Sequence, residues 1–141
     1  MSTPIKDERS ALEDLLESCY GAIYAYGVIA AYMADSDPAL NAMAAFRKHR
    51  DELLSSFAEL GLTATPARAA YALNTKVVDE PSARAAASLL EENAIAHWAN
   101  ALIYLPKLIQ PRESKFLQEC AIRSFSWSGI ATAFSSASLE P

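Results

Sequence analysis

Two arginines, one histidine and two cysteines stand where apolar spacing calls for buried helix faces: Arg50, Arg123, His97, Cys19 and Cys120. An inward guanidinium is costly unless a carboxylate and further hydrogen bonds meet it. The nearest carboxylates by helical-wheel position are Glu91 and Glu119, which flank the apolar seams. The expected chemistry is a pair between Glu91 and an arginine, with Asn93 or a tyrosine hydroxyl taking the spare hydrogen bonds. Two other readings stand beside it. The arginines could lie at the seam edge and reach water along their stems. Alternatively, a guanidinium could hold a small anion in a pocket near Trp98, Trp127 and Arg123. His97, beside Trp98 on an apolar face, reads as a hydrogen-bonded core histidine ahead of a metal ligand. His49, next to Arg47 and Lys48, reads as solvated, and both cysteines read as small buried hydrophobes. A rearranged metal site for oxidoreductase or iron-handling chemistry would have to be built from Glu91, Glu119, His97 and Cys19. No nucleophile–base pair, phosphate loop or zinc spacing is recognisable.

Four helical segments must position these side chains. The first runs from about Lys6 to Ala34 and the second from Pro38 to Gly61, with Asp37 as N-cap and Gly61 as C-cap. The third runs from near Pro81 to about Tyr104, where Pro106 must end or kink it, and the fourth from Pro111 to near Ser135. Boundaries read this way carry a margin of about two to four residues. Apolar residues recur at alternating steps of four and three: Leu12, Leu16, Cys19, Ile23 and Tyr26 in the first helix, and Met43, Phe46, Arg50, Leu53 and Phe57 in the second. The third gives Ala83, Leu90, Ala94, His97, Ala101 and Leu108, and the fourth Phe116, Cys120, Arg123, Trp127, Ile130 and Phe134.

The connections are more informative than the helices. Only Asp35, Ser36 and Asp37 separate the first two helices, and residues 106–111 join the last two, so both pairs must be hairpins. Residues 61–80 form a connection of 20 residues with little helical periodicity. Such a segment spans up to about 66 Å when extended, against about 33 Å for a 22-residue helix. It can run the whole length of a bundle. Short, long, short is the ferritin-like order of a four-helix bundle with one crossover.

Composition agrees with this. Of 141 residues 28 are Ala and only 3 are Val, a bias toward helix over strand. The chain is 52% hydrophobic and 21% charged, which speaks against disorder. A net charge of −5 speaks against a nucleic-acid partner. Two cysteines and a polar N-terminus without an apolar targeting segment fit a reducing cytoplasm. The uncharged run Cys19–Met33 has 15 residues, short of the roughly 20 needed to span a membrane. It is apolar nearly all round, so more than one side is covered. The cover is either the crossover or a second copy of the chain, for which Tyr20, Tyr24 and Tyr32 suit an interface.

The motifs Ala22-Ile23-Tyr24-Ala25-Tyr26-Gly27-Val28-Ile29, Arg47-Lys48-His49-Arg50-Asp51-Glu52-Leu53, Ala70-Tyr71-Ala72-Leu73 with Val78-Asp79, and Ala121-Ile122-Arg123 with Trp127 resemble the small actinobacterial ferritin-like domain of unknown function. The resemblance covers roughly residues 10–130. It implies a ferritin-like bundle, often dimeric, with no established reaction. Ferritin-like di-iron proteins place a Glu on each of two helices and Glu-x-x-His on each of the other two. This chain departs from that pattern. Lining up the Ile23–Tyr26 motif puts Cys19 where such helices carry glutamate; Glu52 precedes Ser55, and Glu119 precedes Ile122, at the histidine spacing. Arg50 and Arg123 occupy seam positions, and their fixed charge repels a cation.

The expectation is therefore one domain over residues 1–141, an all-α, ferritin-like four-helix bundle, without metal or other cofactor. It would be non-enzymatic, a homodimer acting by binding or assembly. The metal-dependent oxidoreductase and the small anionic-ligand binder are the alternatives.

Overall fold

The computed structural model describes residues 7–73 and 75–129. Within them the chain forms an all-α four-helix bundle: α1 (Glu8–Ala31), α2 (Asp37–Glu59), α3 (Glu80–Ala101) and α4 (Gln110–Ser128), with a 3₁₀ turn Leu102–Tyr104 after α3. Lys6, Ile130, Phe134 and the residues from Ser135 onward, all included in the expected helices or tail, lie outside the described residues.

Local chemistry explains the ends. Asp7 caps α1 by accepting the Ser10 N–H at 2.7 Å. Asp79 and Ser82 form a reciprocal capping box ahead of α3, with Pro81 in the first turn. The α2 N-cap is Ser36 and not Asp37, a shift of one residue. At the other end of α2, Gly61 takes a φ of 70°. Gly61 N–H bonds Ala58 O at 3.1 Å and Leu62 N–H bonds Phe57 O at 2.9 Å, a Schellman closure that a residue with a Cβ would strain. Gly129, at φ 75°, caps α4 after Ser128, and the expected end near Ser135 lies outside the described residues.

Side-chain contacts fix the helix directions. Tyr26 on Phe46 (ring centroids 6.1 Å apart) joins α1 and α2 as an antiparallel pair across a link of five residues, 32–36, longer than the expected three. The connection after α2 then climbs back along α1. The Tyr20 hydroxyl donates to Thr65 O at 3.0 Å, Tyr24 meets Tyr71 with ring centroids 6.3 Å apart, and Glu80 accepts from Ala34 N–H at 2.9 Å. So α3 starts where α1 ends and runs parallel to α2. Trp98 to Glu113 and Glu91 to Arg123 bring α4 back antiparallel to α3. The crossover itself is the cover over Tyr20 and Tyr24.

The core holds Leu12, Leu15, Leu16, Tyr26, Phe46, Leu53, Phe57 and Trp98, and alanines of α3 (Ala83, Ala87, Ala94, Ala101) let that helix sit close to α1 and α4. The backbones of α2 and α4, by contrast, barely approach each other, which leaves one side of the bundle open. Among the described residues no helix is long and apolar enough to cross a membrane.

Candidate functional site

Two carboxylates are fully buried in the bundle, Glu91 on α3 and Glu113 on α4, and each collects donors from other helices. A buried carboxylate is tolerated only when charge and hydrogen bonds compensate its lost hydration.

At the first centre, Arg123 Nε on α4 lies 2.9 Å from Glu91 Oε2. The Tyr26 hydroxyl on α1 donates to the same oxygen. Trp127 Nε1 donates to the Tyr26 oxygen at 3.1 Å, so the chain of donors runs from α4 through α1 to α3. The guanidinium is flanked by the rings of Phe46 at 5.2 Å and Phe116 at 5.5 Å, and its second arm contacts Cys120 Sγ at 3.4 Å. Glu91 Oε1 finds no hydrogen-bond partner of its own. Burial pushes the Glu91 carboxyl above its ordinary value, only partly offset by Arg123 and Tyr26. Burial and the neighbouring Glu91 charge push Tyr26 up, so it remains a phenol that donates. Arg123 is held above its ordinary value: burial opposes the charge, and the Glu91 carboxylate outweighs burial. Burial also raises both Cys120, beside Glu91, and Cys19, which disfavours the thiolates that bind metals or attack electrophiles. Both cysteines are free thiols.

The second centre lies nearer the α3–α4 turn. Glu113 Oε1 accepts from Trp98 Nε1 at 2.9 Å and lies 2.6 Å from His49 Nε2, while Oε2 lies 2.7 Å from Arg112 Nε. Arg112 also donates to the buried Ser56 hydroxyl at 3.0 Å, tying α4 to α2. His49 Nδ1 is 2.9 Å from the half-exposed Glu52. Both ring nitrogens thus face carboxylate oxygens. The ring stacks on Phe116 at a centroid distance of 3.9 Å. Burial would raise Glu113, but the His49, Trp98 and Arg112 donors outweigh it and hold the carboxyl below its ordinary value.

The sequence-derived candidates therefore separate. Glu91 and Arg123 meet, and a tyrosine hydroxyl, not Asn93, takes the further hydrogen bond. Arg50 does not join them. It sits at the seam edge and pairs with its neighbour Asp51 at 3.0 Å. His97 is exposed and not a core histidine, and His49, expected in solvent, is 3% exposed. Both reversals have one cause. The α3 seam runs Ala87, Glu91, Ala94, Trp98, Ala101, one residue on from Leu90 and His97, and α2 buries position 49 in preference to 50. One residue turns a helix by about 100°, enough to exchange core for solvent. Leu108, also assigned to that seam, is 93% exposed. Glu119 lines a cleft between α2 and α4, and His97 a smaller one between α1, α3 and the crossover. Glu91, Glu119, His97 and Cys19 thus do not converge, and the rearranged metal site built from them is not formed. Among the described residues no three His, Cys, Asp or Glu side chains are grouped to hold a metal ion. The space around Trp98, Trp127 and Arg123 is filled by Phe46, Phe116 and Tyr26 and is not the expected anion pocket. Glu113 went unread, although it lies three residues before Phe116 and so extends the α4 seam by one step.

The chain belongs to the family described as Domain of unknown function (DUF4439), which it matches over residues 11–137. Its fold is similar to that of a conserved hypothetical protein, rv2844, from Mycobacterium tuberculosis, with a TM-score of 0.83 and 24% identity, covering 86% of this chain and 95% of that one. No curated protein matches the chain.

Proposed function

We propose that this member of the DUF4439 family is a ferritin-like bundle in which an ion pair stands where a di-iron centre would, and that it acts by binding or assembly without redox chemistry. Helix directions support the ferritin-like relationship: α2 and α3 run parallel, joined by one long crossover. The observation that carries the functional reading is Arg123 seated on Glu91 at 2.9 Å. A carboxylate already neutralised by a fixed guanidinium, with Phe46 and Phe116 against it, is a poor ligand for iron or manganese. At the spacing where a di-iron bundle carries Glu-x-x-His, α2 has Phe46-x-x-His49 and α4 has Cys120-x-x-Arg123.

Metal analysis tests this directly. Protein from cells grown with added iron and manganese should purify with far less than one transition metal ion per chain. Near-stoichiometric metal would overturn the proposal. The assembly is read as a homodimer, for which the exposed Tyr32 and Leu40 offer apolar surface, and the compartment as the cytoplasm, which suits two free thiols. Sedimentation equilibrium should give twice the chain mass; a monomer at high concentration would remove the dimer.

A further inference from the structure

The open side of the bundle, between α2 and α4, holds a cleft of about 260 Å³. Its inner wall is built from side chains that are themselves fixed: His49, 3% exposed, is clamped between Glu52 and Glu113, and Phe116, also 3% exposed, stacks on its ring. Arg112 stands at one end, braced on Glu113 and Ser56. The rim carries Lys48 and Lys115, for which no hydrogen bond or ion pair exists among the described residues, and the equally unpartnered Glu119.

The ion pairs around the cleft leave its two lysines unused. Glu113 is committed to three donors and Glu52 to His49, so the carboxylates that would neutralise the lysines are already used. Lys48, Lys115 and the outer side of Arg112 then face one free carboxylate, Glu119, in a chain whose net charge is −5. Two unpaired lysines side by side at one rim attract and orient an anion. The apolar surface of Phe116 and Ala45 beside it gives that anion a hydrophobic body to rest on. A dry cavity of about 150 Å³ holds a benzene ring, so this volume suffices for a ring plus a carboxylate. Glu52 and Glu119 at the same rim disfavour a second negative charge.

We propose that the α2–α4 cleft binds a small organic monocarboxylate, its apolar body against Phe116 and Ala45 and its carboxylate between Lys48, Lys115 and Arg112. This deepens the binding reading given above by naming a ligand class. It does not depend on the Glu91 centre, so failure here leaves the metal test untouched, and metal in the bundle would leave the cleft open to test.

Benzoate is the probe, titrated into the full chain and followed by amide NMR shifts, with benzamide and inorganic phosphate as comparison arms. Saturable shifts confined to residues around the cleft on α2 and α4 are expected with benzoate, and at least tenfold weaker response to benzamide and to phosphate. The double variant Lys48→Ala, Lys115→Ala changes two exposed side chains and should fold with an unaltered circular dichroism spectrum while losing benzoate affinity at least tenfold. Glu119→Gln should narrow the gap between phosphate and benzoate. Benzamide binding as well as benzoate, phosphate binding better, shifts elsewhere in the bundle, no saturable shifts, or unchanged affinity in the double variant would each overturn the assignment.

Discussion

Glu91 and Glu113 are both fully buried carboxylates facing an arginine and an indole-linked network, yet they end on opposite sides of the ordinary carboxylate value. The difference lies in the strength and placement of the donors, since the third one at Glu91 is only the weak Cys120 thiol. Glu113 has both oxygens engaged, by His49, Trp98 and Arg112. Glu91 crowds Tyr26 and Arg123 onto one oxygen and leaves the other bare. Burial raises both; only the stronger donors at Glu113, spread over both oxygens, reverse it. A buried charge is therefore not one kind of site. Glu113 is a satisfied structural anion, whereas Glu91 depends on a single cation.

The most severe way to break the comparison is to remove that cation. Arg123→Ala should destabilise the chain by about 3–5 kcal/mol, since Glu91 would be left buried without a counter-charge. The denaturation midpoint in urea reads this out. Replacing Glu91 and Arg123 together by Met should recover most of the loss, because no uncompensated charge remains.

Glu113→Gln should cost about 2–3 kcal/mol near neutral pH, the value of hydrogen bonds to a charged acceptor. It should also flatten the acid limb of stability. A carboxyl held below its unfolded value, about 4.3, contributes stability that is present above that value and lost as pH falls through the lower folded one. Glu91 has the opposite sign: its ionisation opposes the fold, so the part of stability linked to it rises as pH falls from its raised folded value toward the unfolded one. Carbon-detected NMR titration of the side-chain carboxyls should put Glu113 below and Glu91 above the exposed glutamates. Coincident titrations would erase the distinction.

Trp98→Phe keeps most of the ring volume and removes one of the three donors to Glu113, with an expected loss of about 1 kcal/mol. The smallest effects mark residues outside both centres. Arg50→Ala and His97→Ala should each fall within about 0.5 kcal/mol of the parent. A loss of several kcal/mol for Arg50 would mean that it, and not Arg123, supports the core.

The architecture was legible because it rests on features that tolerate a misjudged residue. Short and long connections dictate hairpins and a crossover wherever the helix ends fall, and Pro38, Gly61, Pro81 and Pro111 mark those ends within a few residues. The pairing of Glu91 with an arginine was legible too, since a guanidinium at an inward position needs an anion. Which arginine, and which histidine, was not. Arg50 and His49 are neighbours, as are His97 and Trp98, and a pattern of threes and fours admits either register. Tertiary packing chose between them: Trp98 fills the core far better than an imidazole would, and turning Trp98 inward turns His97 out. Glu113 escaped notice because an acid in the first turn of a helix ordinarily serves the helix dipole. Only the meeting of α2, α3 and α4 gives it a buried task. The α2–α4 cleft was illegible for a different reason, being a gap, and gaps leave no periodic signal.

Among the described residues, the long strap from Leu60 to Asp79 contributes only partly buried side chains to the core, while the α1–α2 and α3–α4 hairpins contribute the fully buried ones. The molecule is thus two halves whose cohesion resides in their shared interior and not in the tether. A chain nicked within that strap should hold together as a complex, and the two hairpins made as separate polypeptides should find one another and reconstitute the same bundle.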